Sequence, residues 1–271
     1  MLIVRRITPW VSWCFPKMNP LSYGLLVPHF NHARQFLEFF PGLAATGLPI
    51  VIVDDGSDQE NLSAIETLVS DKSGVYLFAH GKNRGKGAAV KTGFVHARSL
   101  GFSHIIQIDA DGQHCVEDIL VFIEHSRKRP HAIICGQPIF DESASNARLY
   151  GRRITNFWVA IETLSFKIKD GLCGFRLYPL LEIEKVVDNY FLGPKMDFDP
   201  AILVNAVWHN IAIEFVPTHV IYNKGGVSHF NYLRDNILFV ELHVRLMLGM
   251  LLRSPKLLWR LTQTKIASYA A

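Results

Sequence analysis

Short apolar runs rich in β-branched residues alternate with longer amphipathic segments through most of the chain, and no other feature narrows the fold as far. The strand-length runs are Tyr23–Val27, Ile50–Asp54, Val75–His80, Ile105–Asp109, Ala132–Cys135 and Ile211–Val216. Helical patterns over Ala33–Ala44, Asn61–Ser70, Lys86–Leu100 and Val116–Lys128 separate the early ones. Strands of about five residues divided by helices predict an α/β fold, a mostly parallel central sheet with helices on both faces. Ligands of such sheets bind beyond the carboxyl ends of the strands. The chemistry is therefore sought in the residues that follow each run.

Composition sets the outer limits. A chain of 271 residues that is 49% apolar and 19% charged can bury a large core, which excludes an intrinsically disordered protein. The net charge of +4 (28 Lys and Arg against 24 Asp and Glu) gives no argument for nucleic-acid binding. It suits anionic small molecules or an anionic membrane surface. Cys14, Cys115, Cys135 and Cys173 are scattered without a Cys-x-x-Cys pair, which excludes a zinc ribbon and favours a reducing compartment over a disulfide framework. Residues 1–20 read as a leader: Arg5 and Arg6 precede Ile7–Phe15, but Pro9 and Ser12 interrupt that stretch and no small-x-small cleavage site follows before Pro20. No run of 18 uncharged apolar residues occurs, so no transmembrane helix is expected.

Carboxylates and glycines gather at the strand ends. The fourth run closes in Asp109-Ala110-Asp111-Gly112-Gln113-His114. Side chains two apart on a strand share a face, so Asp109 and Asp111 converge. Two such charges about 4 Å apart repel by roughly 4 kcal/mol at an effective dielectric near 20, and a phosphate nearby adds to this unless a divalent cation intervenes. Oxygen donors alone select a hard ion, Mg2+ or Mn2+ bridging to a diphosphate; a solvated acidic loop would carry the same two residues. After Ile50–Val53 comes Asp54-Asp55-Gly56-Ser57-Asp58, an acidic tip able to accept hydrogen bonds from a ribose or a base, with Ser57 or Asp58 placed to cap the next helix. The segment Gly81-Lys82-Asn83-Arg84-Gly85-Lys86-Gly87 is not a P-loop: only three residues separate Gly81 from Gly85-Lys86, and Gly87 stands where Ser or Thr is required. What remains is a basic, glycine-rich turn opening a helix. Its free N–H groups with Lys82, Arg84 and Lys86 suit phosphates, or it is simply a solvated basic loop.

Pro28-His29-Phe30-Asn31, Val53-Asp54-Asp55-Gly56-Ser57-Asp58, Asn83-Arg84-Gly85-Lys86-Gly87 and Asp109-Ala110-Asp111 occur in this order, and together they resemble the family 2 glycosyltransferases, which have a GT-A fold. Asp170-Gly171-Leu172-Cys173-Gly174-Phe175-Arg176 and Met196-Asp197-Phe198-Asp199 sharpen the likeness toward the dolichyl-phosphate mannose and glucose synthases, which are polyprenyl-phosphate glycosyltransferases. The resemblance covers about residues 22–225. It implies that Pro28, Asp54, Asp55 and Asp58 line the nucleotide pocket, with Asp55 reading the uracil or guanine base. Gly85, Lys86 and Gly87 would form the turn beside the donor. Asp109, Asp111 and Gln113 would hold Mg2+ or Mn2+ on the donor diphosphate, with His114 structural. Arg148, Arg152 and Arg153, on a helical stretch over Asn146–Lys167, fall where arginines of the synthases meet the lipid phosphate or the donor phosphates. Arg153 is counted with the catalytic residues; a solvated face is the other reading of the three. Arg176 would support the Cys173-Gly174-Phe175 turn.

Asp197 and Asp199 bear on mechanism. A hydroxyl acceptor needs a general base within hydrogen-bond reach, and either aspartate could serve. A phosphate monoester needs none, and Asp199 matches the Phe-Asp of the dolichyl-phosphate glucose synthases, which favours that route. Ser228-His229-Phe230 departs from the family pattern, which tends to carry a basic residue there; His229 either meets the leaving diphosphate or packs. The expected activity is a metal-dependent, inverting transfer of a sugar from a UDP- or GDP-linked donor, UDP favoured, to a lipid-linked acceptor such as a polyprenyl phosphate or a glycolipid hydroxyl. That acceptor places the protein at the cytoplasmic face of a membrane, as a peripheral enzyme of cell-envelope assembly. Two alternatives stand beside this. One is a non-catalytic donor-binding scaffold of the same fold. The other is a haloacid-dehalogenase-type phosphatase, although Gln113 replaces the required Thr and the motif follows the fourth strand instead of the first.

Residues 21–230 are expected to form the GT-A domain and 231–271 an amphipathic helical segment. Over Asn236–Leu252 the residues Glu241, Arg245 and Gly249 recur every four positions, and Arg253, Lys256 and Arg260 extend that narrow polar stripe. Leu257, Leu258 and Trp259 among those cations, after a break at Pro255, fit a membrane-surface anchor. A core or dimer helix would show the same pattern.

Overall fold

The computed structural model describes residues 21–140, 146–220 and 232–269. The leader, His229 with its two neighbours and the Arg148 side chain lie outside the described residues. In the first half the expected alternation is present: β1 (Tyr23–His29), α1 (Ala33–Ala45), β2 (Ile50–Asp54), α2 (Gln59–Val69), β3 (Val75–Ala79), α3 (Lys86–Ser99), β4 (His104–Gln107) and α4 (Asp118–Lys128). The second half adds β5 (Ile133–Phe140), α5 (Asn146–Thr163), β6 (Arg176–Pro179), α6 (Leu180–Asn189), α7 (Phe198–His209), β7 (Ile213–Val220) and α8 (Tyr232–Tyr269). The seven strands form one sheet in the order β3-β2-β1-β4-β6-β5-β7. Every pairing is parallel except those of β6, which runs antiparallel to both β4 and β5.

Strand residues are buried on both faces. Leu25 and Val27 enter the layer of α1, α2 and α4, whereas Leu26 enters the layer of α3, α6, α7 and α8; Ile50 and Ile52 divide from Val51 and Val53 in the same way. Two buried rows in β1, β2 and β4 are why these segments read as unbroken apolar runs. Helix α3 lies close on β1 because Gly93 has no side chain: a Cβ there would come within 2.2 Å of Leu26 Cδ1.

Three elements differ from expectation. Strand β6 is four residues long and opens with Arg176, whose guanidinium is fully buried and donates to the carbonyls of Asp199 and Gly171 at 2.7 and 2.9 Å. Helix α7 is buried almost all round, so it carries no amphipathic period to detect. The expected break at Pro255 is absent, and α8 runs through it. Proline cannot supply the N–H that would bond the Leu251 carbonyl four residues back. The Ser254 hydroxyl donates to that carbonyl instead, at 2.9 Å.

Candidate active site

The carboxyl ends of β1 to β4 form one rim, and Asp54 and Asp55 stand at the end of β2. Asp54 is fully buried. Its Oδ1 lies 2.8 Å from His29 Nδ1 and accepts the Ser57 hydroxyl at 2.5 Å, and its Oδ2 accepts the Gly56 and Ser57 amides at 3.1 and 2.9 Å. Burial pushes this carboxyl up, but His29 and Ser57 outweigh it and hold it below its ordinary value. Pro28 lies half-buried one residue before His29. Asp58 is exposed and caps α2, accepting the Asn61 amide at 2.9 Å.

Asp55 faces the basic turn. It is 3% exposed; Oδ1 accepts the Arg84 amide at 3.0 Å and lies 2.7 Å from His80 Nδ1, while Oδ2 accepts the Gly85 amide at 2.6 Å. His80 Nε2 in turn lies 3.0 Å from the Thr92 hydroxyl on α3. The Ala88 amide goes to Gly85 and Pro194 carbonyls, both at 2.9 Å. The amides of Arg84, Gly85 and Ala88 are therefore engaged by the protein. Gly85 has φ +101°, and a Cβ there would come within 2.4 Å of the Pro194 oxygen, so only glycine fits. Lys86 also points inward, with Nζ 2.9 Å from Asp109 Oδ1 and 3.2 Å from Asp199 Oδ2. Those two carboxylates outweigh the effect of burial and raise its pKa.

Asp109 and Asp111 lie beyond β4, on a turn instead of on the strand, because pairing stops at Gln107 and Gly112 turns the chain at φ +69°. They nevertheless share one small cleft, of about 80 Å³, with Gln113, His114, Arg152 and Gly174. Burial and the neighbouring Asp109 charge push the Asp111 carboxyl up to about 6. Asp109 is disfavoured by burial but held low by Lys86. Burial lowers His114 to about 4, so it is neutral near pH 7; its ring lies 5.1 Å from that of Phe175. Among the described residues no three His, Cys, Asp or Glu side chains cluster as a complete metal shell. Two crowded carboxylates and the Gln113 amide form an oxygen donor set of the kind that Mg2+ or Mn2+ takes, with Lys86 already paired to Asp109.

The far wall comes from α5 and the turn before β6. Arg152 lines the cleft, with Nη1 2.5 Å from Asp170 Oδ1 and the guanidinium 5.0 Å above the Phe140 ring. Arg153 is exposed on α5 and does not line the cleft. Asp170 also accepts the Leu172 and Cys173 amides at 2.9 and 2.7 Å. Gly174 closes the turn over the rim, where a Cβ would meet Lys86 Nζ at 2.6 Å and Asp109 Oδ2 at 2.9 Å. Arg176 supports this turn through Gly171, in line with expectation.

Asp197, just before α7, and Asp199, in its first turn, part company. Asp199 is buried between Lys86 and Arg176. Asp197 sits apart from the cleft, accepting the Lys195 amide at 3.2 Å with Arg245 Nη2 at 3.9 Å. Burial raises its pKa. Sequence reasoning missed His80 and the tie between Asp170 and Arg152. His80 was open to discovery, since it ends a strand-length run at the ligand-binding rim; which arginine of α5 turns inward depends on how that helix docks.

Residues 25–179 match the family model described as Glycosyl transferase family 2. An uncharacterized protein of Methanocaldococcus jannaschii is 26% identical over 216 residues, which cover 78% of this chain and 86% of that one. The dolichyl-phosphate beta-glucosyltransferase of Dictyostelium discoideum is 31% identical over 187 residues, 60% of this chain and 55% of the relative. The match spans 55% of that relative's length and 71% of the length of the relative of the same name in Saccharomyces cerevisiae, which is 25% identical over 244 residues. The glucosyl-3-phosphoglycerate synthase of Mycobacterium tuberculosis, solved with Mn2+ and uridine-diphosphate-glucose, has a TM-score of 0.60 at 10% identity and covers 88% of this chain and 85% of its own. At that identity the likeness is one of fold.

Proposed function

Because the chain belongs to glycosyl transferase family 2, has its GT-A fold and is a glycosyltransferase, we propose that it moves a sugar from a nucleotide-diphospho-sugar, UDP-linked by preference, to the phosphate of a polyprenyl phosphate. The observation that carries this reading is the cleft itself, which Asp109, Asp111 and Gln113 line together with Arg152. The phosphatase alternative has no footing beside this, since Asp109 is paired with Lys86 and the family match runs through the motif.

In this reading Pro28, Asp54, Asp55 and Asp58 shape the nucleotide side of the rim. Asp55 acts there by holding the Arg84–Gly85 turn. Asp109, Asp111 and Gln113 would hold Mg2+ or Mn2+, which when bound neutralises the donor diphosphate as it leaves. Lys86 keeps Asp109 oriented toward the cleft and is itself held by Asp199. Arg152 receives the acceptor phosphate, with Arg153 one residue on as a solvent-side cation. A phosphate oxygen is already anionic and attacks the anomeric carbon without a base, which suits a site whose Asp199 is ion-paired and whose Asp197 lies elsewhere. In-line attack opposite the departing diphosphate inverts the anomeric centre.

A lipid acceptor calls for a docking surface, and α8 supplies one. Leu242, Leu246, Met250 and Leu257 face the core, while Ile237, Val240, Val244, Leu248, Leu251 and Leu258 form an exposed apolar stripe on the opposite side. No helix among the described residues is long and apolar enough to cross a membrane. The stripe lies along a membrane surface, with Lys256 and the exposed Trp259 near its end. Leu257 belongs to the core instead of the anchor, and Arg260 donates to the Trp208 carbonyl at 3.1 Å.

The test is transfer of labelled glucose from UDP-glucose to dolichyl phosphate in detergent, with Mn2+ or EDTA and with Asp111→Asn. Transfer that needs the cation and fails in the variant is the expected result. Binding of UDP without transfer to any polyprenyl phosphate would favour the scaffold alternative.

A further inference from the structure

We propose that Asp170 is a positioning residue that holds the Arg152 guanidinium across the cleft from Asp109 and Asp111, so that an anionic acceptor group can enter between them. The inference rests on the acceptor reading above and extends it to a residue that touches neither substrate. Asp170 is 4% exposed, and a single oxygen, Oδ1, takes three donors: Arg152 Nη1 at 2.5 Å and the Leu172 and Cys173 amides at 2.9 and 2.7 Å. The same carboxylate thus shapes the turn that lays Gly174 against Asp109 and fixes the cation facing it.

The reason a tether is needed is competition. An arginine that lines a cleft with two carboxylates is attracted to them, and with nothing to hold it back the guanidinium would fall onto Asp109 or Asp111 and fill the space. Asp170 offers a third carboxylate, set in the wall, that engages the guanidinium at Nη1 while the Phe140 ring supports its face at 5.0 Å. A guanidinium has five donors in a planar fork. Fixing one of them sets the plane in which the fork meets a phosphate. Asn156 secures the neighbouring backbone, accepting the Gly171 amide at 2.9 Å and donating to the Lys169 carbonyl at 3.1 Å, so the turn and α5 move as one body.

The experiment uses the full chain in detergent micelles and two titrations: geranylgeranyl monophosphate against the neutral alcohol, and UDP with Mn2+. Asp170→Asn keeps an oxygen for the Leu172 and Cys173 amides but removes the charge that holds Arg152, so the turn survives while the tether is lost. The preference for phosphate over alcohol is expected to fall about tenfold, with UDP affinity unchanged. Arg152→Gln should lose the same preference, and the double variant should lose no more than Arg152→Gln alone. The proposal is overturned by wild-type protein with no preference for the phosphate, by full preference retained in Asp170→Asn, or by phosphate and UDP binding lost in proportion, as a merely structural role would give. Losses that multiply in the double variant also overturn it, since the two residues would then act separately. Wild-type protein that prefers the phosphate but binds no UDP would refute the donor reading and leave this one standing, provided Asp170→Asn still loses the preference.

Discussion

Replacing Asp55 with Asn separates two roles that the same residue could have. In the structure three donors converge on its carboxylate: the Arg84 and Gly85 amides at 3.0 and 2.6 Å and His80 Nδ1 at 2.7 Å. Hydrogen bonds to a charged group contribute about 1.5–3 kcal/mol each. Asparagine keeps one acceptor oxygen and turns an NH2 toward the other side, so one amide loses its partner and faces a second donor in a buried place. The expected cost is about 3 kcal/mol. At about 2–4 °C per kcal/mol for a chain of this size, the melting midpoint should fall by about 6–12 °C. UDP affinity should weaken with it, because the turn that launches Lys86 loosens. Thermal melts with and without UDP and Mn2+ measure both. An unchanged midpoint would refute the clamp, and an unchanged midpoint with UDP binding abolished would return Asp55 to direct contact with the base.

Other expectations follow from single contacts. Gly93→Ala puts a Cβ 2.2 Å from Leu26 Cδ1 and should cost about 1–3 kcal/mol by lifting α3 from β1, seen as a lower guanidinium midpoint with an unchanged slope. Asp54 has its pKa depressed by folding, so its contribution is complete above the unfolded value of about 3.9 and is lost as pH falls through the lower folded value. Urea melts should show a steeper acid loss below about pH 4 in wild type than in Asp54→Asn, which starts less stable. Leu248→Glu, on the exposed stripe of α8, should abolish flotation with anionic vesicles at an unchanged melting midpoint. Leu246→Glu, on the buried row of the same helix, should unfold the protein instead.

How much of this could be read from residues varied with the kind of signal. The βα half was legible because β1, β2 and β4 each bury two rows and read as apolar runs, while the helices between them bury one face. The rim was legible because Asp54, Asp55, Asp109 and Asp111 follow those strands directly. Strand β6 was not, since four residues opening on an arginine resemble nothing apolar until the carbonyls of Gly171 and Asp199 are brought to it. Helix α7 has no polar face to give it a period. Proline at 255 was read as a stop because its one missing N–H is visible in the sequence, whereas the Ser254 hydroxyl that satisfies the Leu251 carbonyl is visible only in space. The orientation of Arg152 and the inward turn of Lys86 likewise depend on partners far along the chain.

Strand β6 has a consequence for how this chain could diversify. Because it runs against its neighbours, its first residue, Arg176, pairs with Gln107 at the last position of β4, and the turn before it arrives at the same rim from the opposite direction. The acidic wall therefore comes from residues before 115 and the arginine wall from residues after 150, with the reversed strand as the hinge pin of the join. Two stretches of sequence that meet this closely are coupled, since Gly174 lies against Lys86 and Asp109 with no room for a side chain. A splice at this strand would have to carry both partners of each contact across, Gly174 with Asp109 and Arg176 with Asp199.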